Sequence, residues 1–154
     1  MNEHALRRSV KRLLTHQLYG VLATLDDSGR PHTSIVAFVT ADDLGSIAFC
    51  TPRNTRKCRY LAARPQVAFF CDDRRSEPEE LMQVIGVEAS GTVHEVGSDN
   101  ATLYRHLYLA KYPGMEAFVN APESLLLRIA VERYDVVDNF QHVTVLHTGE
   151  DAHE

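Results

Sequence analysis

The hydrophobic positions of the chain follow a helical spacing at the N-terminus and an extended one from Tyr19 onward. Apolar residues that share one helical face are Leu6, Val10, Leu13 and Leu14. Asn2 is a typical N-cap residue, so the pattern predicts an amphipathic helix over residues 2–17. Its other face is basic and is expected to be solvated.

Three short apolar runs follow, over residues 19–25, 32–40 and 46–51. Asp27-Ser28-Gly29 separates the first two, and Asp42-Asp43-Leu44-Gly45 separates the second and third. Consecutive strands joined by tight turns predict an antiparallel meander.

A second helix is predicted after Asn54, taken as its N-cap, with Cys58, Leu61 and Ala62 as its apolar stripe. It should end at Arg64, because the residue before a proline avoids helical geometry.

The C-terminal half continues with strands over residues 66–71, 85–94 and about 125–137, and with a further strand over 142–147. Residues 72–80 have the composition of a loop. A third helix is expected to be capped by Ser98 or Asp99. Its predicted apolar side consists of Leu103, Tyr104, Leu107 and Tyr108. The tail from residue 149 to residue 154 is expected to be disordered.

This order of elements predicts a mainly β (α+β) protein, because the strands are consecutive instead of alternating with helices. About six strands and two or three helices favour a β-barrel with peripheral helices. No repeat or linker interrupts the sequence, so residues 1–154 are expected to form a single domain.

Composition and charge limit the classes of function that are expected for the chain. Apolar residues make up 44% and charged residues 24% of the chain, which is typical of a globular domain. The net charge of −5 argues against general binding to nucleic acid, and no apolar segment is long enough to predict a membrane span or a signal peptide. Three cysteines without a CxxC pair are typical of reduced thiols in a cytoplasmic protein. The eight histidines are scattered, so no metal site is predicted.

The stretch around Thr55, Arg56 and Lys57 indicates an anion site. It is expected to form the first turn of the second helix, where N–H groups lack partners and cations are unfavourable. A phosphate bound there would accept hydrogen bonds from these N–H groups and neutralise the cations, and the hydroxyls of Thr51 and Thr55 would also hold it. The alternative is a solvated basic turn, paired with Asp72 or Asp73. The charge pattern alone leaves both interpretations open.

An ordered series of short motifs carries a resemblance to a known family: Val21-Leu22-Ala23-Thr24, Asp27-Ser28-Gly29-Arg30-Pro31, Ile35-Val36, Phe49-Cys50-Thr51, Arg56-Lys57, Arg64-Pro65-Gln66-Val67. With weaker matches to about Asp138, the chain resembles the pyridoxamine 5'-phosphate oxidase-like FMN-binding split barrels. The resemblance implies a six-stranded antiparallel split β-barrel that binds FMN. It also implies a homodimer with flavin at the interface.

The resemblance also implies roles for individual residues. The strand with Ser34, Ile35, Val36 and Ala37 would lie along the isoalloxazine ring. Residues assigned to the ribityl phosphate are Cys50, Thr51, Arg56 and Lys57, and Gln83 lies near a position where the family places a polar group against the flavin.

Departures from the family argue against vitamin B6 oxidation. The chain has no tryptophan, and Val39 occupies the position of a basic residue in the true oxidases. The sequence therefore predicts an FMN-dependent oxidoreductase acting on an unassigned small substrate. His32, His94 and His106 are candidates for proton transfer, with simple solvation or strand packing as the alternative. Tyr104, Tyr108 and Tyr112 are interpreted as packing residues in preference to pocket residues.

Four other functions remain open at this point. The chain could be a flavin carrier or sensor without catalysis, or an anion-binding module without a redox cofactor. Related split barrels also bind deazaflavin or haem. A haem protein would need an axial ligand, for which His147 and His153 are the candidates.

Overall fold

A computed structural model describes residues 2–139 and 141–149 of the protein, in which seven β-strands and four α-helices are found. The strands are β1 (Tyr19–Leu25), β2 (Pro31–Thr40), β3 (Ser46–Pro52), β4 (Gln66–Asp72), β5 (Gly86–Glu95), β6 (Ser124–Asp138) and β7 (His142–His147). The helices are α1 (Glu3–His16), α2 (Arg56–Ala63), α3 (Ser98–Lys111) and α4 (Glu116–Asn120), with 3₁₀ turns at Pro78–Gln83 and Pro113–Met115.

The first six strands form a closed antiparallel barrel in the order β3-β2-β1-β4-β5-β6, and pairing of β3 with β6 closes it. The seventh strand lies outside the barrel against β6. The length of β6 makes both contacts possible, because Ser124–Ala130 pairs with β3 and Arg133–Asp138 pairs with β7. The predicted six-stranded antiparallel barrel with peripheral helices is confirmed.

Strand β6 has a β-bulge opposite Ser90 and Gly91 of β5, because Ser90 pairs with Arg133 and Gly91 pairs with Val131, which leaves Glu132 without a partner on β5. A Cβ atom at Gly91 would lie 2.2 Å from the backbone oxygen of Ala130, so no other residue fits there without moving the strand. Bulges of this kind bend a strand and allow a sheet to close into a barrel.

The barrel interior and α1 share one hydrophobic core. Large side chains that are fully buried in it include Leu22, Phe38, Phe49, Phe69, Ile129 and Tyr134. All four residues of the predicted apolar face of α1 are buried against this core. Asn2 caps the helix as predicted, because its side chain accepts a hydrogen bond of 2.8 Å from the N–H of Ala5.

A second, smaller core lies on the opposite side of β2 and β3, beneath α3 and α4. Tyr104 and Tyr108 are buried in it, which confirms their interpretation as packing residues. The predicted apolar face of α3 is wrong at Leu103, whose side chain is 55% exposed. The N-cap of α3 is Gly97 and not Ser98 or Asp99, because the helix begins one residue earlier than the side-chain pattern suggested.

Other boundaries also differ from the sequence prediction. Thr55, and not Asn54, caps α2. Tyr60 and Leu61 are the buried residues of this helix, whereas Ala62 is exposed, because a helix of eight residues contacts the barrel through little more than one turn. Residues 72–80 are not entirely irregular, since Asp72 ends β4 and a 3₁₀ turn begins at Pro78.

Three findings bear on the remaining predictions. The cysteines Cys50, Cys58 and Cys71 are free thiols. Among the described residues, no helix has the length and apolar content needed to cross a membrane. The disorder predicted for the tail concerns residues 150–154, which lie outside the described residues.

Candidate anion-binding site

The turn between β1 and β2 is organised by the carboxylate of Asp26. Its Oδ1 accepts hydrogen bonds from the Ser28 hydroxyl at 2.8 Å and from the N–H groups of Ser28 and Arg30, both at 2.9 Å. Gly29 has a φ of +83°, the left-handed conformation that such a turn requires. These hydrogen bonds hold the pKa of Asp26 far below its ordinary value, and the bond from the Ser28 hydroxyl contributes most to this shift.

Helix α2 is attached to this turn at its C-terminal end. The two terminal nitrogens of Arg64 donate hydrogen bonds of 3.1 Å to the backbone oxygens of Asp26 and Asp27. One turn earlier along the helix, the Tyr60 ring lies against the His32 ring, with 5.3 Å between their centres. Both contacts hold α2 across the barrel end that carries the β1–β2 turn.

The space between α2 and the strands is a cavity of about 210 Å³, here called the anion cavity. Its walls are formed by the β1–β2 hairpin and by the first turns of α2. The lining residues are Thr24, His32, Thr33, Ser34, Thr55, Arg56, Lys57 and Tyr60. Hydroxyl groups, cationic side chains and a histidine therefore face one small space, which suits an anion with several oxygen atoms.

Thr55 positions the start of α2 at this cavity. Its hydroxyl accepts a hydrogen bond of 3.2 Å from the Cys58 N–H and donates one of 3.1 Å to the backbone oxygen of Pro52. The hydroxyl of Thr51, a residue only 2% exposed, lies 3.5 Å from that of Thr55. Since the cap satisfies the N–H of Cys58, the N–H groups of Arg56 and Lys57 are the ones that helix geometry leaves without partners.

The two cations of the cavity have no counter-ion among the residues that the structure describes. Within residues 2–139 and 141–149, neither Arg56 nor Lys57 forms an ion pair. Burial lowers the pKa of Lys57, as expected for an ammonium group that has lost water without gaining a carboxylate. The site thus holds positive charge that the protein itself leaves uncompensated.

The alternative pairing of this basic turn with Asp72 or Asp73 is wrong. Asp72 lies 2.5 Å from Arg74, and Asp73 accepts a hydrogen bond of 2.8 Å from the N–H of Ile85. Both carboxylates are therefore engaged in and near the loop that follows β4, and neither neutralises α2.

The structure brings together Ser34, Thr55, Arg56 and Lys57 at the cavity, with Thr51 directly behind Thr55. Other residues that the sequence assigned to the site lie elsewhere on the same strands. Val36 is buried in the barrel core, and the Cys50 side chain packs in the core beneath α3, where burial raises its pKa. Ala37 packs against that second core as well. Gln83 lines a separate cavity of about 160 Å³ next to Asp73, Arg75, Glu80 and Val84.

Sequence reasoning missed three residues of the cavity, Thr24, Thr33 and Tyr60. Thr24 was detectable as a polar residue at an inward position of a strand that is otherwise apolar, and it is buried. Tyr60 follows Arg56 by one helical turn, so the spacing alone places it on the same face of α2.

A second feature near the cavity is an exposed apolar surface on the barrel exterior, here called the outer face. Its largest members are Tyr19, Ile35 and Phe70. Val143 and Val145 on β7 are also exposed, but Glu88 and Asp135 lie between Phe70 and Val145 in the cross-strand register. Cross-strand pairing makes the surface continuous at its centre, because Val21 pairs with both Ile35 and Phe70. Ile35 is 73% exposed and is the direct chain neighbour of Ser34 in the anion cavity. Strand β2 therefore joins the cavity to the outer face.

The chain is similar in sequence to one protein family. The sequence profile of the pyridoxamine 5'-phosphate oxidase family matches residues 6–138. No protein of curated function is similar enough in sequence to count as a match.

Several solved structures share the fold. A haem-binding protein from Mycobacterium smegmatis superimposes with a TM-score of 0.81 at 18% identity, covering 92% of this chain and 57% of that protein. An FAD-binding protein from Mesorhizobium loti gives a TM-score of 0.65 at 17% identity, covering 84% of this chain and 91% of the other. The conserved hypothetical protein Rv2991 from Mycobacterium tuberculosis gives 0.71 at 21% identity, covering 99% and 95%. The chain spans 57%, 58% and 61% of the lengths of three of the similar structures.

Proposed function

The chain belongs to the pyridoxamine 5'-phosphate oxidase family, and we propose that it binds FMN with the phosphate in the anion cavity. The observation that carries this proposal is the pair of uncompensated cations, Arg56 and Lys57, at the start of α2. A phosphate monoester near neutral pH carries close to two negative charges, which these side chains would neutralise. Neutralisation would also remove the cost of placing cations at the positive end of a helix dipole.

The phosphate end of FMN fits the residues present. Besides the two cations, the cavity offers the hydroxyls of Thr24 and Ser34 and the unpaired N–H groups of the first helical turn. Its volume of about 210 Å³ is small, so it suits a single phosphate with the adjoining part of a ribityl chain. A dinucleotide such as FAD would have to extend out of it.

The ring end of FMN is proposed to follow strand β2 outward from the cavity. Ser34 lines the cavity, Ile35 is exposed on the outer face, and Val36 and Ala37 are the next residues of the strand. A flat aromatic ring over Ile35 would cover apolar surface that the protein leaves in contact with water, which is favourable by roughly 25 cal/mol per Å². Val36 would then contribute through its backbone, since its side chain faces the core.

A second copy of the chain is the partner that best suits the rest of the outer face. Tyr19 and Phe70 leave apolar side chains exposed on the barrel exterior on either side of Val21, next to Ile35. Contiguous apolar patches are uncommon on monomers and usually mark interfaces. We propose a homodimer in which this face is buried and the flavin ring lies between the two copies.

The proposed activity is that of a flavin-dependent oxidoreductase on a small organic substrate. When bound, FMN would supply hydride or electron transfer, and the residues of the chain would bind and orient it. Vitamin B6 oxidation is not proposed, because Val39, at the position of the basic residue of the true oxidases, is buried beneath α3. A flavin carrier without turnover would use the same binding residues.

Titration of the purified protein with FMN, followed by visible absorption and calorimetry, tests the proposal. Saturable binding with flavin bands shifted from those of free FMN would support it, and riboflavin, which lacks the phosphate, should bind much more weakly. A protein that binds neither flavin would contradict it. If the protein shows a Soret band after titration with haem and does not bind FMN, haem would replace FMN as the proposed cofactor. Steady-state reduction of bound FMN by a panel of reductants and substrates then separates an enzyme from a carrier.

A further inference from the structure

A carboxylate–imidazole pair lies beside the anion cavity, and its imidazole, that of His32, is part of the cavity lining. Nε2 of His32 lies 3.1 Å from Oδ2 of Asp26. The ring of His32 is held from the other side by Tyr60, at 5.3 Å between ring centres and an angle of 36°. The imidazole therefore has a defined position while it lines the same space as Arg56 and Lys57.

The other ring nitrogen of His32 is available to a ligand. In the part of the chain that the structure describes, Nδ1 of His32 has no hydrogen-bond partner. The side chain is 36% exposed, so it is neither fully solvated nor sealed in the core. An imidazole fixed through one nitrogen commonly presents the other to a ligand, as in histidine–carboxylate pairs at catalytic and metal sites.

Asp26 supplies a permanent negative charge behind the imidazole. Three hydrogen bonds from the turn stabilise its ionised form, and its pKa is correspondingly depressed. A phosphate in the cavity would place a second anion on the opposite side of the ring. An imidazole between two anions favours its protonated form, because each anion stabilises the cation and is stabilised by it.

We propose that His32 is a third cationic ligand of the phosphate and that it takes up a proton when the phosphate binds. This inference rests on the proposed function. The proton comes from solvent and adds to one nitrogen of a neutral ring. In the bound state Nε2–H donates to Asp26 and Nδ1–H donates to a phosphate oxygen. Asp26 acts only through His32 and is a positioning residue.

Other charged and titratable groups surround His32, and the test must separate them from it. They are Asp26 on the β1–β2 turn, Arg56, Lys57 and Tyr60 on α2, Arg59, which lies over the Tyr60 ring, and Arg64, which binds the turn carbonyls. The arginines remain charged at all accessible pH values. Lys57 is the group whose titration must be distinguished from that of His32, because burial lowers its pKa.

Calorimetry of FMN binding at pH 7.5, in two buffers of different ionisation enthalpy, measures the proton uptake directly. At this pH the phosphate of FMN is already a dianion, since its second pKa is about 6. The wild-type protein is expected to take up a substantial fraction of one proton per FMN. His32→Gln should abolish the uptake, whereas Lys57→Arg, with a side chain that does not titrate, should retain it. Riboflavin should bind without uptake.

The affinity for FMN should depend on pH for the same reason. At pH 6.5, His32→Gln is expected to weaken FMN binding about tenfold, the scale of one charge-assisted hydrogen bond. The ratio between variant and wild type should fall toward one as the pH rises to 9, because proton uptake from solvent becomes less favourable at high pH. Asp26→Asn keeps an oxygen for the turn and should also reduce the uptake. His94→Gln, at an exposed position on β5, is the matched control and should change neither quantity.

Two results overturn the inference while leaving the proposed FMN site intact: wild-type protein that binds FMN without proton uptake, or a His32→Gln effect that is the same at every pH. Loss of folding in the variants would be detected by thermal unfolding, and the wild-type uptake measurement does not depend on them. If the wild-type protein binds no FMN at all, both proposals fail.

Discussion

The ammonium of Lys111 lies 4.0 Å from the centre of the Phe38 ring, so a cation at the end of α3 faces a fully buried aromatic side chain. The same ammonium donates a hydrogen bond of 3.1 Å to the backbone oxygen of Leu14 in the last turn of α1. Contact with a helix C-terminus and with an aromatic face both favour the charged form. Desolvation opposes them and lowers the pKa of Lys111 to about 8.

The pH dependence of stability should reveal this residue. Because the pKa is about 8 in the folded state and 10.5 is its ordinary value, the unfolded chain binds more protons between these pH values. The cost of burying the cation is fully present below pH 8 and is relieved as the pH rises toward 10.5. We therefore expect Lys111→Met to raise the free energy of unfolding at pH 7 by about 1 kcal/mol and to lose this advantage by pH 10.

Urea unfolding at a series of pH values checks the prediction. The difference between variant and wild type isolates Lys111 from the buried thiols and phenols, whose ordinary pKa values lie in the same range in the unfolded chain. Lys11→Met is the matched control, because Lys11 is exposed and forms an ion pair of 3.4 Å with exposed Asp42. If the free energy of unfolding depends on pH in the same way for Lys111→Met and wild type, then burying the Lys111 ammonium has no cost.

The phosphate clamp predicts a specific loss of FMN affinity. Arg56→Ala combined with Lys57→Ala removes both uncompensated cations from the cavity and should weaken FMN binding by about a hundredfold or more. Riboflavin affinity should change little. The control carries Arg53→Ala and Arg59→Ala, which remove the same charge from exposed positions outside the cavity lining. If both double variants lose the same amount of FMN affinity, the overall positive charge around α2, and not the position of Arg56 and Lys57, would account for phosphate binding.

The outer face predicts the oligomeric state. Ile35→Asp places a charge at a side chain that is 73% exposed in the single chain and that we expect to be buried between two copies. Sedimentation should show a dimer for the wild type and a monomer for the variant, because an unpaired carboxylate in an apolar interface is costly. Leu103→Asp, on the exposed side of α3, should remain dimeric. A monomeric wild type at micromolar concentration would contradict the proposed interface.

The close approach of Gly91 in β5 to the backbone of β6 predicts a severe stability defect. In Gly91→Ala the new methyl group would meet the backbone oxygen of Ala130, which cannot move without shifting β6. We expect a loss of about 2 kcal/mol or more in the free energy of unfolding. Gly114→Ala is the matched control, since a Cβ there meets no atom within 4 Å. Chemical denaturation distinguishes the two, and a neutral Gly91→Ala would mean that the strands can separate at the bulge at little cost.

Local patterns determined much of this protein. The spacing of Leu6, Val10, Leu13 and Leu14 identified the buried face of α1, because helical periodicity is a property of neighbouring residues. The Arg56–Lys57 pair was assigned to the start of a helix for the same reason, and the structure places it there, although the cap is Thr55 and not Asn54. Which of two adjacent polar residues caps a helix depends on backbone angles that periodicity does not encode.

The tertiary structure alone decided which distant segments meet. Pairing of β3 with β6 closes the barrel, and the contact of Tyr60 with His32 brings the β1–β2 hairpin to α2. Residue spacing carries no information about either contact, since both depend on how strands twist and pack. Leu103 and Cys50 illustrate the limit, because apolar character does not state which side of an element the core occupies. The sequence therefore determined the elements and the cationic half of the cavity, whereas packing of the β1–β2 hairpin against α2 brought His32 to that half.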